Sequence, residues 1–109
     1  MHELAIAESV VYCVLERVAA QRVAVVRLRV GRLMAVVPDA LQFSFELACA
    51  GTPLEGASLE IEELAGRGHC RTCELDFTLE DSFLLCECGS ADVELVAGRE
   101  LSVASVEVA

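Results

Sequence analysis

Residues 70–90 read CRTCELDFTLEDSFLLCECGS and contain four of the six cysteines in this 109-residue chain. The cysteines form two close pairs with the spacing C-x2-C-x12-C-x-C, at Cys70, Cys73, Cys86 and Cys88. Two thiolate pairs on two tight turns can converge on one ion, and four thiolates are the ligands of a closed structural zinc site. Residues 66–97 have too few apolar side chains for a core of their own, and a bound zinc supplies folding free energy. We therefore predict a zinc-binding domain over residues 66–97.

Two disulfides are the alternative interpretation of the four cysteines, and they require an oxidising compartment. The first ten residues, MHELAIAESV, contain Glu3 and Glu8 but no lysine or arginine, so the basic start of a secretory signal is missing. No uninterrupted apolar run reaches the roughly 18 residues of a membrane span. We therefore expect a cytoplasmic chain with reduced thiols, and we favour a metal site over disulfides.

The overall charge and the absence of familiar catalytic motifs exclude several classes of function. The formal net charge of −10 argues against nucleic-acid partners, because that affinity depends on lysine and arginine neutralising phosphates. No Ser/His/Asp arrangement, phosphate-binding glycine loop or paired acid/base site is apparent. The Cys70–Cys73 pair could serve a thiol redox enzyme, whose motif normally follows a strand and opens a helix, but the preceding residues 66–69, GRGH, do not have that pattern. We expect a protein that is not an enzyme.

Two segments have the periodicity of amphipathic helices. Residues 4–20 place apolar side chains at three- and four-residue spacing, with Glu8, Tyr12 and Glu16 on the other side. The predicted apolar side comprises Leu4, Ala7, Val11, Val14, Leu15 and Val18. A second helix is predicted to begin at Pro38 and to end at Gly51.

Three segments alternate as strands: residues 23–33, residues 57–64, and a tail that shifts by one position after Val103. The tail needs a partner in the strands before residue 65. We therefore predict an α+β fold, with two helices packed on a small, mostly antiparallel three-stranded sheet and an inserted zinc-ribbon-like module. The first domain is predicted to comprise residues 1–65, completed by 98–109.

The start of the chain, Met1-His2-Glu3, has two interpretations. A histidine near a terminus is often frayed and exposed to solvent. Alternatively, a free terminal amine, the next backbone nitrogens and the His2 imidazole can close small chelate rings around one ion. Nitrogen donors in a plane suit Ni(II) or Cu(II) and do not suit tetrahedral zinc.

The two cysteines outside the cluster are not expected to bind metal. Cys13 and Cys49 lie within predicted helices among apolar neighbours, and a buried free cysteine behaves as a small hydrophobic residue.

Taken together, these features resemble the HypA/HybF family of nickel-insertion accessory proteins for hydrogenase. The resemblance covers essentially the whole chain. Besides the M-H-E start, the first helix and the C-x2-C…C-G-S module, it includes three motifs: V-x-L-x-V-G at 26–31, P-D-A-L-x-F-x-F-E at 38–46 and G-x-E-L at 98–101.

The resemblance implies a metallochaperone that delivers Ni(II) to the large subunit of NiFe hydrogenase, working with a partner GTPase. Some members also serve urease, and members are monomers or dimers. The nickel site would lie at His2 and the backbone around Met1 and Glu3, while zinc would be held by the four clustered cysteines. Glu3 would orient the His2 ring or contact the GTPase. The alternative role for Glu3 is a favourable charge at a helix N-terminus.

One departure from the family pattern concerns the second cysteine pair. The usual pair is C-P-x-C, whereas here Cys86-Glu87-Cys88 is one residue shorter, and Leu85 occupies the aligned position. Either the turn is tighter and Cys86 still binds zinc, or His69 supplies the fourth ligand. We favour four thiolates. A zinc-ribbon interaction module without nickel transfer is the alternative function.

Overall fold

The computed structural model describes residues 2–81 and 83–109. They form two α-helices, a short 3₁₀ helix and two three-stranded sheets, which confirms the predicted α+β class. In chain order the elements are α1 (Glu3–Val18), β1 (Val23–Gly31), the 3₁₀ helix (Arg32–Met34), α2 (Pro38–Cys49), β2 (Ser58–Leu64), β3 (Gly66–Cys70), β4 (Asp76–Leu79), β5 (Val93–Ala97) and β6 (Leu101–Val108).

The chain divides into two compact units. The first unit comprises Met1–Arg29, Val36–Glu62 and Ser102–Ala109, and the second comprises Val30–Ala35 and Glu63–Leu101. The predicted domain boundaries at 65/66 and 97/98 stay a prediction.

Helices α1 and α2 pack against each other in the first unit and bury one stripe each. The buried residues are Ala7, Val10, Val11 and Val14 on α1, and Leu41, Ser44, Phe45 and Cys49 on α2. Pro38 is the first residue of α2, where its missing N–H costs nothing.

The predicted limits and apolar face of α1 were partly wrong. The helix ends at Val18 because Ala19 adopts a φ of 55°; the last helical bond runs from its N–H to the Leu15 carbonyl. Leu4 was expected in the core but is 47% exposed, since it lies in the first turn at the edge of the buried stripe. Val10 is buried instead.

The sheet of the first unit has the strand order β2-β1-β6. Val26, Leu28 and Val30 of β1 are buried, as their alternation with arginines predicts. Arg27 lies on the other face and bonds to Glu60 of β2 at 3.0 Å and to Glu107 of β6 at 3.1 Å. Its guanidinium therefore joins all three strands of this sheet.

The second unit contains the antiparallel sheet β4-β3-β5, with β3 in the centre. Strand β3 carries two glycines, and a Cβ on Gly68 would lie 2.9 Å from Val93 Cγ1 and 3.2 Å from Phe77 Cζ. Side chains of both outer strands thus pack against the backbone of β3 at Gly68, where there is no side chain. Cys70, Cys86 and Val93 form the buried core here, packed against Phe77 and Leu84.

Strand β1 ends at Gly31 instead of residue 33 because glycine backbones cross closely in the second unit. Gly31 N–H donates to the Glu100 carbonyl at 2.7 Å, and Leu33 N–H donates to the Gly98 carbonyl at 2.9 Å. Gly98 has a φ of 123°, which favours glycine, and a Cβ there would lie 2.7 Å from Gly66 Cα. A Cβ at Gly31 would likewise collide with the Gly98 carbonyl, so both positions require glycine for close backbone contact.

Candidate metal sites

The four clustered cysteines bring their sulfurs together in the second unit. Cys70 ends β3, Cys73 lies in the turn that follows, and Cys86 and Cys88 precede β5. Their four Sγ atoms lie within 4.8 Å of one another, with 3.7 Å between Cys70 and Cys88 and 3.6 Å between Cys73 and Cys86. A disulfide needs about 2.05 Å, whereas four sulfurs about 2.3 Å from one zinc stand about 3.8 Å apart in a tetrahedron. The donor set therefore fits zinc and not disulfides.

Two turns of different length present these cysteines in a similar way. In the first, Glu74 N–H donates to the Cys70 carbonyl at 2.8 Å, and Glu74 has a φ of 63°. In the second, Gly89 N–H donates to the Cys86 carbonyl at 2.9 Å, and Gly89 has a φ of 93°. Each turn closes with a left-handed residue directly after its second cysteine, so the shorter second pair still closes its turn.

Backbone amides point at the sulfur atoms. The Cys73 amide donates to Cys70 Sγ at 3.5 Å, and this bond, helped by the Thr72 amide, lowers the pKa of Cys70 to about 6. Amides of Leu75, Cys88 and Ser90 likewise act to lower the pKa of Cys73, Cys86 and Cys88, but neighbouring thiols and burial raise these three values overall. One negative charge in the cluster disfavours the next, and a dication at the centre would relieve this repulsion.

Polar contacts hold the first cysteine turn against the chain after the second. Thr72 Oγ1 lies 2.8 Å from Ser90 Oγ. The Arg71 amide donates to the Asp92 carbonyl at 3.0 Å, and its guanidinium donates to the Asp92 carboxylate at 2.9 Å. These bonds fix the relative position of the two turns without using a sulfur atom.

His69, the alternative fourth ligand, lies outside the four-sulfur group. Its Nδ1 is 2.6 Å from an Asp76 carboxylate oxygen, and its Nε2 is 3.6 Å from Glu74. The hydrogen bond with Asp76 raises the pKa of His69. The structure therefore places Cys86 beside the other three cysteines, whereas both ring nitrogens of His69 face carboxylates.

At the other candidate site, His2 is exposed and directly precedes α1. Its carbonyl accepts the Ile6 N–H at 3.2 Å. The first N–H groups of a helix have no partner within the helix, so the backbone nitrogens of His2 and Glu3 lie at the open end of α1. Met1, whose amine completes the expected chelate, is outside the described residues.

Glu3 connects the start of α1 to the start of α2. Its carboxylate accepts the Val37 N–H at 3.0 Å, one residue before Pro38 begins α2. This bond is the main reason why the pKa of Glu3 is lowered. The carboxylate of Glu3, the residue after His2, is thus held by the backbone of the residue that precedes α2.

The two remaining cysteines differ from each other. Cys49 is buried as expected, and burial raises its pKa to about 11. Cys13 is exposed, so the expectation that it is buried was wrong. Its apolar neighbours in sequence lie on other sides of the helix, because adjacent helical residues point in different directions.

Among the described residues, no helix is long and apolar enough to cross a membrane.

Comparisons with known proteins identify the family. A family model described as "Hydrogenase/urease nickel incorporation, metallochaperone, hypA" matches residues 1–108. Two similar relatives are hydrogenase maturation factors HypA. The one from Streptomyces avermitilis is 49% identical over 113 residues, covering 97% of this chain and 86% of the relative. The one from Nostoc punctiforme is 41% identical over 108 residues, covering 99% and 96%.

A solved structure shares the fold. It is the solution structure of the Ni metallochaperone HypA from Helicobacter pylori, with a TM-score of 0.69 and 21% identity, covering 99% of this chain and 97% of that one. The family described is one of metallochaperones, which confirms the expectation that the chain is not an enzyme. The chain therefore belongs to the HypA family of nickel metallochaperones for hydrogenase maturation.

Proposed function

We propose that this chain binds Ni(II) at its N-terminus and delivers it during maturation of NiFe hydrogenase, while a separate structural zinc maintains the second unit. The observation that carries the proposal is the position of His2. It is exposed at the open end of α1, and the next residue, Glu3, bonds to the backbone of Val37 directly before α2.

The nickel ligands would be the His2 imidazole, the backbone nitrogens of His2 and Glu3, and the terminal amine of Met1. Such donors can lie in a plane, which Ni(II) accepts readily. An exposed site suits a carrier, because a receiving site can displace its ligands one at a time. Glu3 would act through its bond to Val37, which fixes where the chelating residues lie.

The zinc would be held by Cys70, Cys73, Cys86 and Cys88. A zinc with four protein ligands has no open position for substrate and supplies folding free energy. The residues themselves provide the two closed turns, the amides that stabilise thiolates, and the Thr72–Ser90 contact that holds the turns together.

The proposed partners are the GTPase of hydrogenase maturation and the hydrogenase large subunit, with urease maturation proteins as further candidates. We propose a cytoplasmic monomer or homodimer that does not bind nucleic acid, since the net charge is −10. The alternative function, a zinc-ribbon interaction module without nickel transfer, uses the cysteines but not the His2 site.

The test is a nickel titration of the untagged, zinc-loaded protein that begins at Met1. We compare wild type with His2→Ala, and use His69→Ala as the matched control because the chain has 2 histidines. We expect His2→Ala to weaken nickel binding by more than about 100-fold with one zinc per chain retained, and His69→Ala to bind nickel as wild type does.

Two further measurements examine the chelate. An N-terminal tag converts the amine to a peptide bond and should abolish tight nickel binding. Protons compete with nickel for nitrogen ligands, so nickel affinity should fall as the pH is lowered. Equal nickel binding by the tagged chain, or by His2→Ala, would contradict the proposal and favour the zinc-ribbon alternative.

A further inference from the structure

An open groove lies beside strand β4 in the second unit. It has a volume of about 370 Å³. Its apolar lining consists of Leu75, Phe77, Leu79, Phe83 and Leu85. Phe83 is 71% exposed, and Leu75 and Leu85 are also exposed. Leu75 follows the first cysteine turn, and Phe83 and Leu85 precede the second. Three large apolar side chains therefore face solvent around one concave surface.

The rim of this groove is acidic. Glu80, Asp81 and Glu87 line it, and no described residue in the lining is basic. The nearest arginine in strand register is Arg67, which pairs with Thr78 across β3 and β4. Arg71, the other arginine close in sequence, is already bonded to Asp92. The negative charge at the rim is therefore not neutralised by the lining itself.

Strand β4 is also an edge of its sheet. Within the described residues, β3 pairs with one side of β4 and no strand pairs with the other. An edge strand presents alternate backbone N–H and C=O groups, to which an extended segment of another chain can bond. The groove thus offers three kinds of contact together: apolar pockets, carboxylates and free backbone groups.

We propose that this groove binds an extended segment of a partner protein that carries apolar side chains flanked by arginine or lysine. The apolar side chains would cover Phe83 and Leu85, and the basic side chains would meet Glu80 and Glu87. A negatively charged or purely polar segment would not satisfy both the lining and the rim. The proposal is independent of nickel binding, because the groove lies entirely in the second unit.

The test uses the zinc-loaded full chain without nickel and a synthetic probe. The probe is a fluorescein-labelled heptapeptide with a central Leu-Val-Leu and two arginines on each side. A second peptide has glutamates in place of the arginines, and a third has serines in place of the central residues. Binding is measured by fluorescence anisotropy, and the site is located from amide chemical-shift changes.

We expect the arginine peptide to bind at least tenfold more tightly than either of the other two, with shifts centred on residues 75–87. Phe83→Ser and, separately, Glu80→Lys with Glu87→Lys should each weaken binding at least fivefold. The matched controls are Phe43→Ser and Glu46→Lys on exposed positions of α2, which should bind the peptide as wild type does. Zinc content and circular dichroism confirm that each variant is folded.

Three outcomes would overturn the proposal. The first is equal binding of the arginine and serine peptides, which indicates attraction by net charge alone. The second is unchanged affinity in the folded Phe83→Ser variant or shifts confined to the first unit. The third is self-association in sedimentation that Phe83→Ser abolishes, which would assign the groove to a second copy of the chain.

Discussion

Cys49 illustrates how one buried side chain makes stability depend on pH. It is 2% exposed, and burial raises its pKa from an ordinary 9.0 to about 11. The raised value means that the folded state keeps a proton that the unfolded chain releases first. This stabilising difference is fully present below pH 9 and is lost as the pH rises towards 11.

We therefore predict that wild type loses about 2–3 kcal/mol of unfolding free energy between pH 9 and 11 relative to Cys49→Ala. Urea unfolding of both proteins over this range measures the difference. The cysteine cluster is the same in both chains, so its own titration cancels. Parallel curves for the two proteins would show that Cys49 ionises as freely when folded as when unfolded.

The two helical cysteines should also differ in reactivity, because only Cys13 is exposed. At pH 8, iodoacetamide should add one label to the zinc-loaded protein, at Cys13, and none at Cys49. Peptide mass mapping identifies the site. Labelling of Cys49 at a rate similar to Cys13 would contradict the burial described for α2.

The side chain of Glu3 should affect nickel binding without itself binding nickel. Loss of its bond to Val37 frees the start of α1, so Glu3→Ala should weaken nickel binding by about 10- to 100-fold. Glu3→Gln keeps an oxygen acceptor and should lose less. Glu8→Ala removes another exposed carboxylate of α1 and is the matched control. Isothermal titration measures the nickel affinity of each variant, and an equal loss in Glu3→Ala and Glu8→Ala would contradict this role of Glu3.

Individual residues were predictable from the sequence where chemistry restricts the choice. The spacing of Cys70, Cys73, Cys86 and Cys88 indicated one cluster, and the structure brings their sulfurs together. The exposure of Leu4 and Cys13 was not predictable from local pattern, because it depends on which stripe of α1 meets α2. The contact of Glu3 with Val37 spans 34 positions and leaves no local signal.

At the level of elements, three glycines of the second unit, Gly31, Gly66 and Gly98, allow their backbones to lie in close contact. We predict that Gly98→Ala destabilises the protein by about 2–5 kcal/mol, since it combines an unfavourable φ of 123° with a Cβ 2.7 Å from Gly66 Cα. Gly51→Ala is the control, because Gly51 has a φ of 77° but nothing within 4 Å of the added Cβ.

The control variant should cost only about 1–2 kcal/mol, the conformational part of the effect. Denaturant unfolding with zinc present measures both. Equal losses in the two variants would mean that the close backbone contact at Gly98 relaxes freely.

Elements with strong periodicity were predicted well, and the strands of the second unit were not. Helices α1 and α2 and strands β1, β2 and β6 follow apolar spacing in the sequence. Strand β3 reads GRGHC, and its alternate buried positions hold two glycines and a cysteine instead of large apolar side chains, so its sequence does not indicate a strand. Phe77 and Val93 of the neighbouring strands cover Gly68. Its neighbours β4 and β5 are 4 and 5 residues long, too short for a clear pattern.

For the whole molecule, zinc should determine the stability of one unit and not of the other. The buried core of the second unit includes Cys70 and Cys86, whereas the first unit buries apolar stripes of two helices. Structural zinc in small metal-dependent domains contributes about 10–16 kcal/mol at pH 7. Removal of zinc should therefore unfold the second unit first.

We predict that chelation exposes four further thiols to titration and removes amide protection from β3, β4 and β5, while α1 and α2 keep theirs. Hydrogen exchange followed by mass spectrometry measures both units in one sample. Cys70→Ser should reproduce the effect of the chelator, and Cys13→Ser should not. Persistent protection of β3 in the zinc-free chain would show that this sheet is stable without metal.

The path of the chain has a consequence for proteolysis. After Glu62 the chain leaves the first unit, forms most of the second, and returns only to supply β6. A single cut between β4 and β5 would therefore leave β6 with no covalent bond to the sheet that it completes. The cleaved tail would be retained by its pairing in that sheet, by the Arg27–Glu107 ion pair and by the bond from Ala109 N–H to the Arg22 carbonyl. A nicked molecule would keep its shape in mild buffer and separate into two pieces in denaturant.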